Sequence, residues 1–191
     1  MVDFLNSPPV QADAPVMLFL AQLLEMEKPL VAAVNGPAVG VGTTMLLHCD
    51  LVYVARSARL QMPFVNLGLS PEAASGYLLP AMMGHQNAAE LLLLGETISG
   101  ERAAQLGIAN AVYEDDEYLQ AALEKAARLA AQPAASVRLT KRLLKDAGRE
   151  VVRAQMQTEG GLFAQRLGSP EAREAMSAFM EKRKPDFSQF D

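Results

Sequence analysis

Apolar and polar positions divide this chain into two regimes. In the first third, short continuous apolar runs are separated by turns rich in Gly, Pro and Asn. The run Leu30 to Val34 lies between Pro29 and Asn35-Gly36-Pro37 and predicts a buried strand. Leu51 to Ala55 predicts a second strand, and Gly42 to His48 a short buried helix between them. Leu60 to Val65 predicts an extended segment interrupted by Pro63. Ahead of these, Pro15 to Glu27 has apolar residues at Val16, Leu20, Leu23, Leu24 and Met26, a helical pattern with Pro15 near its start and Pro29 past its end. The first dozen residues hold Asn6, Ser7, Pro8 and Pro9 and predict irregular chain.

From Pro71 onward the period is helical. The predicted helices are Pro71 to Met83, Gln86 to Leu94, Gly100 to Leu106, Asp116 to Gln132, Pro133 to Ala147, Glu150 to Leu167 and Pro170 to Lys184. Start and stop signals punctuate them: Gly84, Ser99, Gly107, Asp115, Gly148, and Ser169 with Pro170. Ala109 to Tyr113 predicts a short strand among them. There is no internal repeat, and the Ala-rich run Ala121 to Ala135 has helix composition.

At 191 residues the chain fits one domain with a helical extension, and half of it is hydrophobic, enough for a sizeable core. Trp is absent, so Leu, Ala, Val and Met must do the packing. A formal net charge of -5, from 17 basic and 22 acidic residues, argues against a general nucleic-acid binder. The single cysteine, Cys49, excludes an internal disulfide and any multi-cysteine metal site, and it reads as a structural thiol in an apolar run. No apolar run approaches the ~20 residues of a membrane-spanning helix. Neither terminus carries a signal or address, so a cytoplasmic location is expected.

Two loops carry candidate chemistry. In Gly40-Val41-Gly42 the glycines permit a backbone in which N–H groups aim at a negatively charged oxygen, and the following helix adds its partial positive end. Ser70-Pro71-Glu72 reads as a helix start, with Ser as N-cap, Pro at the first position and Glu favourable to the dipole. That would set a carboxylate on a helix N-terminus. An oxyanion site and one carboxylate base are the minimum equipment for moving a proton next to a carbonyl. On pattern alone a routine helix cap is the ordinary reading of Ser70-Pro71-Glu72, and the glycine loop could be only a close-packed turn. His48 reads as a packed, hydrogen-bonded side chain and His85 as exposed; neither has metal-ligand spacing.

The stretch Lys28 to Asp50, KPLVAAVNGPAVGVGTTMLLHCD, resembles the crotonase superfamily, the enoyl-CoA hydratase/isomerase fold. Further matches follow in order: Asp50 to Ala55 with Ala58 and Leu60; Leu67-Gly68-Leu69-Ser70-Pro71-Glu72; Leu91 to Gly95 with Ser99 and Ala103 to Ala109; and Phe179 to Pro185. The resemblance implies an α/β crotonase-like core with a mostly helical C-terminal half. It implies a core over 1–132 and a C-terminal helical trimerisation region over 133–191. The strands Leu30 to Val34 and Leu51 to Ala55 should then lie parallel in one buried sheet.

In hydratases of this superfamily two glutamates hold and activate water, and the corresponding residues here are Thr44 and Phe64. The segment Met62-Pro63-Phe64 with Leu67 to Glu72 is instead similar to the enoyl-CoA delta isomerase branch, in which the glutamate after Ser-Pro is the single base. The resemblance therefore implies Glu72 as the base and the Val41 N–H as a donor to the thioester oxygen. Gly40 and Gly42 would shape that loop, and Phe64, Leu67, Leu69 and Pro71 would line the acyl site.

The implied reaction shifts the double bond of 3-enoyl-CoA to 2-enoyl-CoA in unsaturated fatty-acid oxidation. No metal or redox cofactor is implied; coenzyme A enters with the substrate thioester. The alternatives are a catalytically impaired acyl-CoA-binding or scaffold module, and a hydratase-like enzyme. Relative to the family pattern, Met1 to Leu5 looks like the residues just after a motif such as Phe-Ser-Ala-Gly-Asn-Asp-Met, which supplies the second oxyanion donor. An N-terminally truncated form of the fold is therefore expected. The resemblance further implies a homo-oligomer, a trimer or dimer of trimers, and no membrane or nucleic-acid partner. Apolar positions at Val137, Leu139, Leu143, Leu144, Val151, Val152, Met156, Leu162, Phe163, Leu167, Met176, Phe179 and Met180 exceed what one small core would bury. Lys182-Arg183-Lys184 reads as a solvated helix end.

Overall fold

The computed structural model describes residues 14–190. The irregular start expected of the first dozen residues, and Asp191, lie outside the described residues. Helix α1 (Pro15–Glu25) leads into β1 (Val31–Val34) and β2 (Pro37–Val39). Helix α2 (Val41–Thr44) continues as a tighter turn, Met45–His48, ahead of β3 (Leu51–Ala55), β4 (Arg59–Gln61) and a second tight turn, Val65–Leu67. Helices α3 (Ser75–Met83), α4 (His85–Leu94), α5 (Gly100–Gln105), α6 (Tyr118–Ala130), α7 (Ala134–Leu167) and α8 (Pro170–Met180) follow, interrupted by β5 (Ile98–Ser99) and β6 (Ala111–Tyr113).

The strands form two small sheets. In the first, of order β1-β3-β6, all neighbours are parallel, with Val31 opposite Leu51 and Tyr53 opposite Ala111. In the second, of order β2-β4-β5, β2 and β4 are parallel and β5 runs antiparallel. The parallel pairing expected of Leu30 to Val34 and Leu51 to Ala55 is present. The expected burial is not uniform. Central β3 is buried from Val52 to Ala55, whereas β1 is, among the described residues, the edge strand of its sheet and leaves Ala33 exposed. An edge strand has one neighbour fewer to cover it, which an apolar run alone does not reveal.

Between β1 and β2 the chain changes sheets at Asn35-Gly36. Gly36 has φ +66°, which glycine adopts without a Cβ clash. Its carbonyl accepts the Arg59 amide at 2.9 Å, so the turn is tied to β4. The main core lies between the sheets and the following helices, and includes Val54, Leu60, Met62, Phe64, Leu79, Leu91 and Ile108. Each fully buried aliphatic side chain of this kind contributes roughly 1.5–3 kcal/mol. Two smaller clusters join α1 to the segment after Glu72: Leu20 and Leu23 with Ala73, and Leu24 with Ala74 and Val152 of α7.

Several helix boundaries differ from the expected ones. Gly148 does not stop a helix; α7 runs unbroken from Ala134 to Leu167. A helical glycine costs only about 1 kcal/mol, and the packing along α7 outweighs it. Lys141 of α7 reaches the Lys28 carbonyl and the Asp50 carboxylate, both at 2.7 Å, while Asp50 also accepts the Leu30 amide at 2.7 Å. Helix α8 ends at Met180, short of the expected Lys184, and Lys182 adopts φ +55° beyond it. At its start, Ser169 accepts the Ala172 amide as expected of an N-cap. Among the described residues no helix is long and apolar enough to cross a membrane. On α7 and α8, Leu139, Leu143, Leu144, Val151, Leu162, Phe179 and Met180 remain exposed, Leu144 the most at 79 %, whereas Val152 and Met176 of the expected surplus are buried within the protein.

Candidate active site

The glycine loop is built as the sequence suggests. Gly40 adopts φ +57° and its amide donates to the Gln61 carbonyl at 2.9 Å, so the loop is pinned to the end of β4. Its carbonyl accepts the Thr43 and Thr44 amides at 2.8 and 3.0 Å, which closes the first turn of α2. Val41 is the first residue of that helix, where an amide has no partner within the helix. Gly42 packs toward Ala38. Thr43 and Thr44 are fully buried.

The second loop is built differently from the expectation. Ser70-Pro71-Glu72 is not the cap of a helix, because α3 begins at Ser75. Glu72 lies in the turn before it, followed by Ala73 and Ala74, both in the left-handed region at φ 58° and 59°. Non-glycine residues held there cost ~1–3 kcal/mol each and persist only where the surroundings over-determine them. The surroundings here do so. Ser75 donates its amide and its hydroxyl to the Glu72 carbonyl, at 3.1 and 2.7 Å. The His48 ring nitrogen Nε2 lies 2.8 Å from the Ala73 carbonyl and donates to it. Leu20, Leu23 and Leu24 press on the two alanines from α1. The net effect turns the Glu72 side chain inward, and it is only 9 % exposed.

There the Thr44 hydroxyl bonds the Glu72 Oε1. Thr44 also lies 3.4 Å from the Gly40 carbonyl. A hydroxyl both donates and accepts, so this arrangement serves two protonation states. With Glu72 ionised, Thr44 donates to it. With Glu72 protonated, the carboxylic acid donates to Thr44, and Thr44 turns its own proton to Gly40. Burial pushes the Glu72 carboxyl up to about 7; the Thr44 hydrogen bond pulls down and the nearby Glu159 carboxylate pushes further up. A carboxylate poised near neutrality takes up and releases protons with equal ease.

The two loops thus meet at Thr44 and Glu72. Of the other site residues expected from sequence, Pro71 directly precedes Glu72, and Leu67 ends the tight turn Val65–Leu67. Leu69 packs against the main core. Phe64 is buried within that core, its ring edge-on to Phe163 of α7 with centroids 6.4 Å apart. Burial lowers the His48 pKa, which keeps the ring neutral as it seats Ala73. His85, at the start of α4, is exposed as expected. Burial pushes the Cys49 thiol up to about 11, which leaves it unreactive.

Sequence reasoning treated Thr44 only as a missing carboxylate and passed over Glu159. Glu159 is 5 % exposed on α7. Its Oε1 accepts the Gly76 amide at 2.9 Å and the Gln155 amide nitrogen at 2.9 Å. The available signal was a charged residue on an apolar stripe, since Val152, Met156 and Phe163 share that side of α7 with Gln155 and Glu159.

Residues 11–190 match the family model described as enoyl-CoA hydratase/isomerase. The chain is 34 % identical over 167 residues to 2,3-dehydroadipyl-CoA hydratase of Escherichia coli, covering 87 % of this chain and 66 % of that protein. It is 35 % identical over 165 residues to enoyl-CoA delta isomerase 2 of Rattus norvegicus, covering 86 % of this chain and 42 % of that protein. The solved structure of OdaA from Pseudomonas aeruginosa superposes with a TM-score of 0.91 at 54 % identity, covering 94 % of this chain and 73 % of that one. The chain belongs to the enoyl-CoA hydratase/isomerase family and has its crotonase fold. It spans 66 % and 42 % of the length of those two curated relatives.

Proposed function

We propose that this protein is an isomerase that shifts the double bond of a 3-enoyl-CoA to the 2-position in unsaturated fatty-acid oxidation. The observation that carries the reading is Glu72: a buried carboxyl, near neutral pKa, bonded to a hydroxyl on the short helix that Val41 opens. Glu72 removes a proton from C2, between the thioester carbonyl and the C3–C4 double bond. The electron pair of that C–H bond flows toward the carbonyl and gives a dienolate. The Val41 N–H is the donor to its oxygen, helped by the first-turn position in α2. Glu72 then returns the proton to C4, the double bond comes to rest between C2 and C3, and the base is regenerated.

One carboxylate suffices because the proton leaves and returns through the same group. Thr44 supports both halves of the cycle by accepting from the acid or donating to the carboxylate. Gly40 and Gly42 shape the donor loop, and Pro71, Leu67 and Leu69 form the apolar side toward the acyl chain, with Phe64 packed in the core behind them. No metal or redox cofactor takes part in this route; coenzyme A is the handle of the substrate. Relatives named for hydration exist in the family. Water addition is disfavoured here because Thr44 and Phe64 stand where the resemblance places the two water-holding glutamates.

The exposed apolar residues of α7 and α8 support a homo-oligomer, for which we adopt the family's trimer or dimer of trimers. The test is an assay of 3-enoyl-CoA conversion beside an assay of 2-enoyl-CoA hydration, on this chain and on an upstream-extended one. The reading expects conversion to exceed hydration; hydration as the dominant activity would replace it.

A further inference from the structure

Helix α3 starts without a cap of its own, because Ala74 precedes it and offers no side-chain acceptor. The cap comes from a distant part of the chain: Oε1 of Glu159 takes the Gly76 amide, in the first turn of α3, at 2.9 Å. The fit is close. A Cβ at Gly76 would stand 2.7 Å from that oxygen, so any larger residue would drive the carboxylate away. Gln155 supplies a second donor to the same oxygen at 2.9 Å. The other oxygen, Oε2, is buried and has no hydrogen-bond partner among the described residues. A buried carboxylate oxygen left bare is unusual and needs a reason. Capping α3 requires one oxygen and no net charge, since an amide carbonyl would serve as well.

Glu72 lies four residues before Gly76, just ahead of α3, and the Glu159 carboxylate pushes its pKa in the same direction as burial does. We infer that Glu159 is a positioning residue for Glu72: its buried carboxylate caps α3 through the Gly76 amide, and so seats the turn that carries the base. This rests on the reading of Glu72 as the base. The other charged groups around the turn are engaged elsewhere. Lys145 of α7 lies 2.6 Å from the His48 carbonyl and 3.7 Å from Asp50. Arg149 pairs with Asp146 and Glu25, and Arg153 with Glu25 and Glu150. His48, on the Ala73 carbonyl, is kept neutral by burial. Thr44 contributes a hydroxyl, and α1 presents leucines to Ala73 and Ala74. Burial raises the Glu72 pKa most, and the Glu159 charge adds to it in the same direction.

The experiment is a pH titration of the Glu72 carboxyl by NMR, with glutamate carbon-13-labelled at the side-chain carboxyl and Glu72→Gln used to assign the resonance. It needs no turnover, so it reads this inference apart from the catalytic one. In Glu159→Gln the amide oxygen retains the Gly76 bond and the charge is lost. The Glu72 midpoint is expected to fall, because a like charge that raises it is gone. Gly76→Ala, which forces the Glu159 carboxylate off the Gly76 amide, is expected to move the midpoint and serves should Glu159→Gln not fold. Glu159→Asp, which keeps the charge, should shift it less than Glu159→Gln. An unmoved midpoint in the folded Glu159→Gln protein, or in Gly76→Ala in its place, would overturn the inference. Retained activity in Glu72→Gln would instead overturn the choice of base and leave the titration result standing.

Discussion

The Thr44 hydroxyl and the Glu72 carboxylate are hydrogen-bonded across 28 positions of sequence, and this bond joins the glycine loop to the strained turn before α3. Gly40 fixes where Thr44 starts, while Ser75, His48 and Glu159 fix the turn from which Glu72 projects.

Removing the hydroxyl should therefore change both the titration and the fold's stability. In Thr44→Val the carboxyl loses the partner that holds its pKa down, so its midpoint rises and the acid limb of any pH–rate profile moves to higher pH. A buried acceptor left unpaired costs ~1–3 kcal/mol, which denaturant unfolding reads directly. Thr44→Ser should restore most of both. Equal midpoints in Thr44→Val and the parent would remove the role assigned to Thr44.

Stability should depend on pH through Glu72 with a defined sign. Its folded pKa, about 7, lies above the ordinary carboxyl value of 4.5. Such a group contributes stability that is full below the unfolded pKa and lost as pH rises through the folded one. Glu72→Gln lacks this loss. Its stability relative to the parent should thus increase by ~2 kcal/mol between about pH 5 and about pH 8. A pH-independent difference would mean that Glu72 titrates as an ordinary carboxyl.

Gly148 offers a test far from the site. It sits inside α7, and a Cβ added there meets nothing within 4 Å. Gly148→Ala should stabilise the protein by ~0.5–1 kcal/mol through the better helix propensity of alanine, a rise of a few degrees in Tm. A lowered Tm would show that the helix bends or packs at that point.

The sequence made some of this legible and hid the rest for physical reasons. Leu51 to Ala55 is recovered residue for residue because a central strand is a continuous apolar run. The pairing of this run with Leu30 to Val34 came from family pattern, but the edge position of β1 depends on neighbours that no local pattern encodes. The motif at Glu72 was found, and its shape was misjudged. Ser-Pro-Glu is a strong local cap signal, yet tertiary contacts to Ala73 and Ala74 hold the chain left-handed and delay α3 to Ser75. Gly148 misled in the same way, since the helix's packing overrides one glycine. Thr44 and Glu159 act through long-range contacts, and residue type alone assigned neither a partner.

Association should depend on the bare apolar residues of the C-terminal helices. Leu144→Glu places a charge at the most exposed of them and should weaken self-association at least tenfold in sedimentation equilibrium, without loss of helicity. Unchanged association would move the interface elsewhere.

The central claim is that Glu72 carries the proton. The most direct measurement compares turnover of a 3-enoyl-CoA by the active protein and by Glu72→Gln, with acyl-CoA binding measured on both. The account predicts a loss of ~10²–10⁴-fold in kcat with binding nearly unchanged, because the amide keeps the shape and the Thr44 contact but cannot take up the proton. An undiminished rate in Glu72→Gln would contradict it and place the base on another residue.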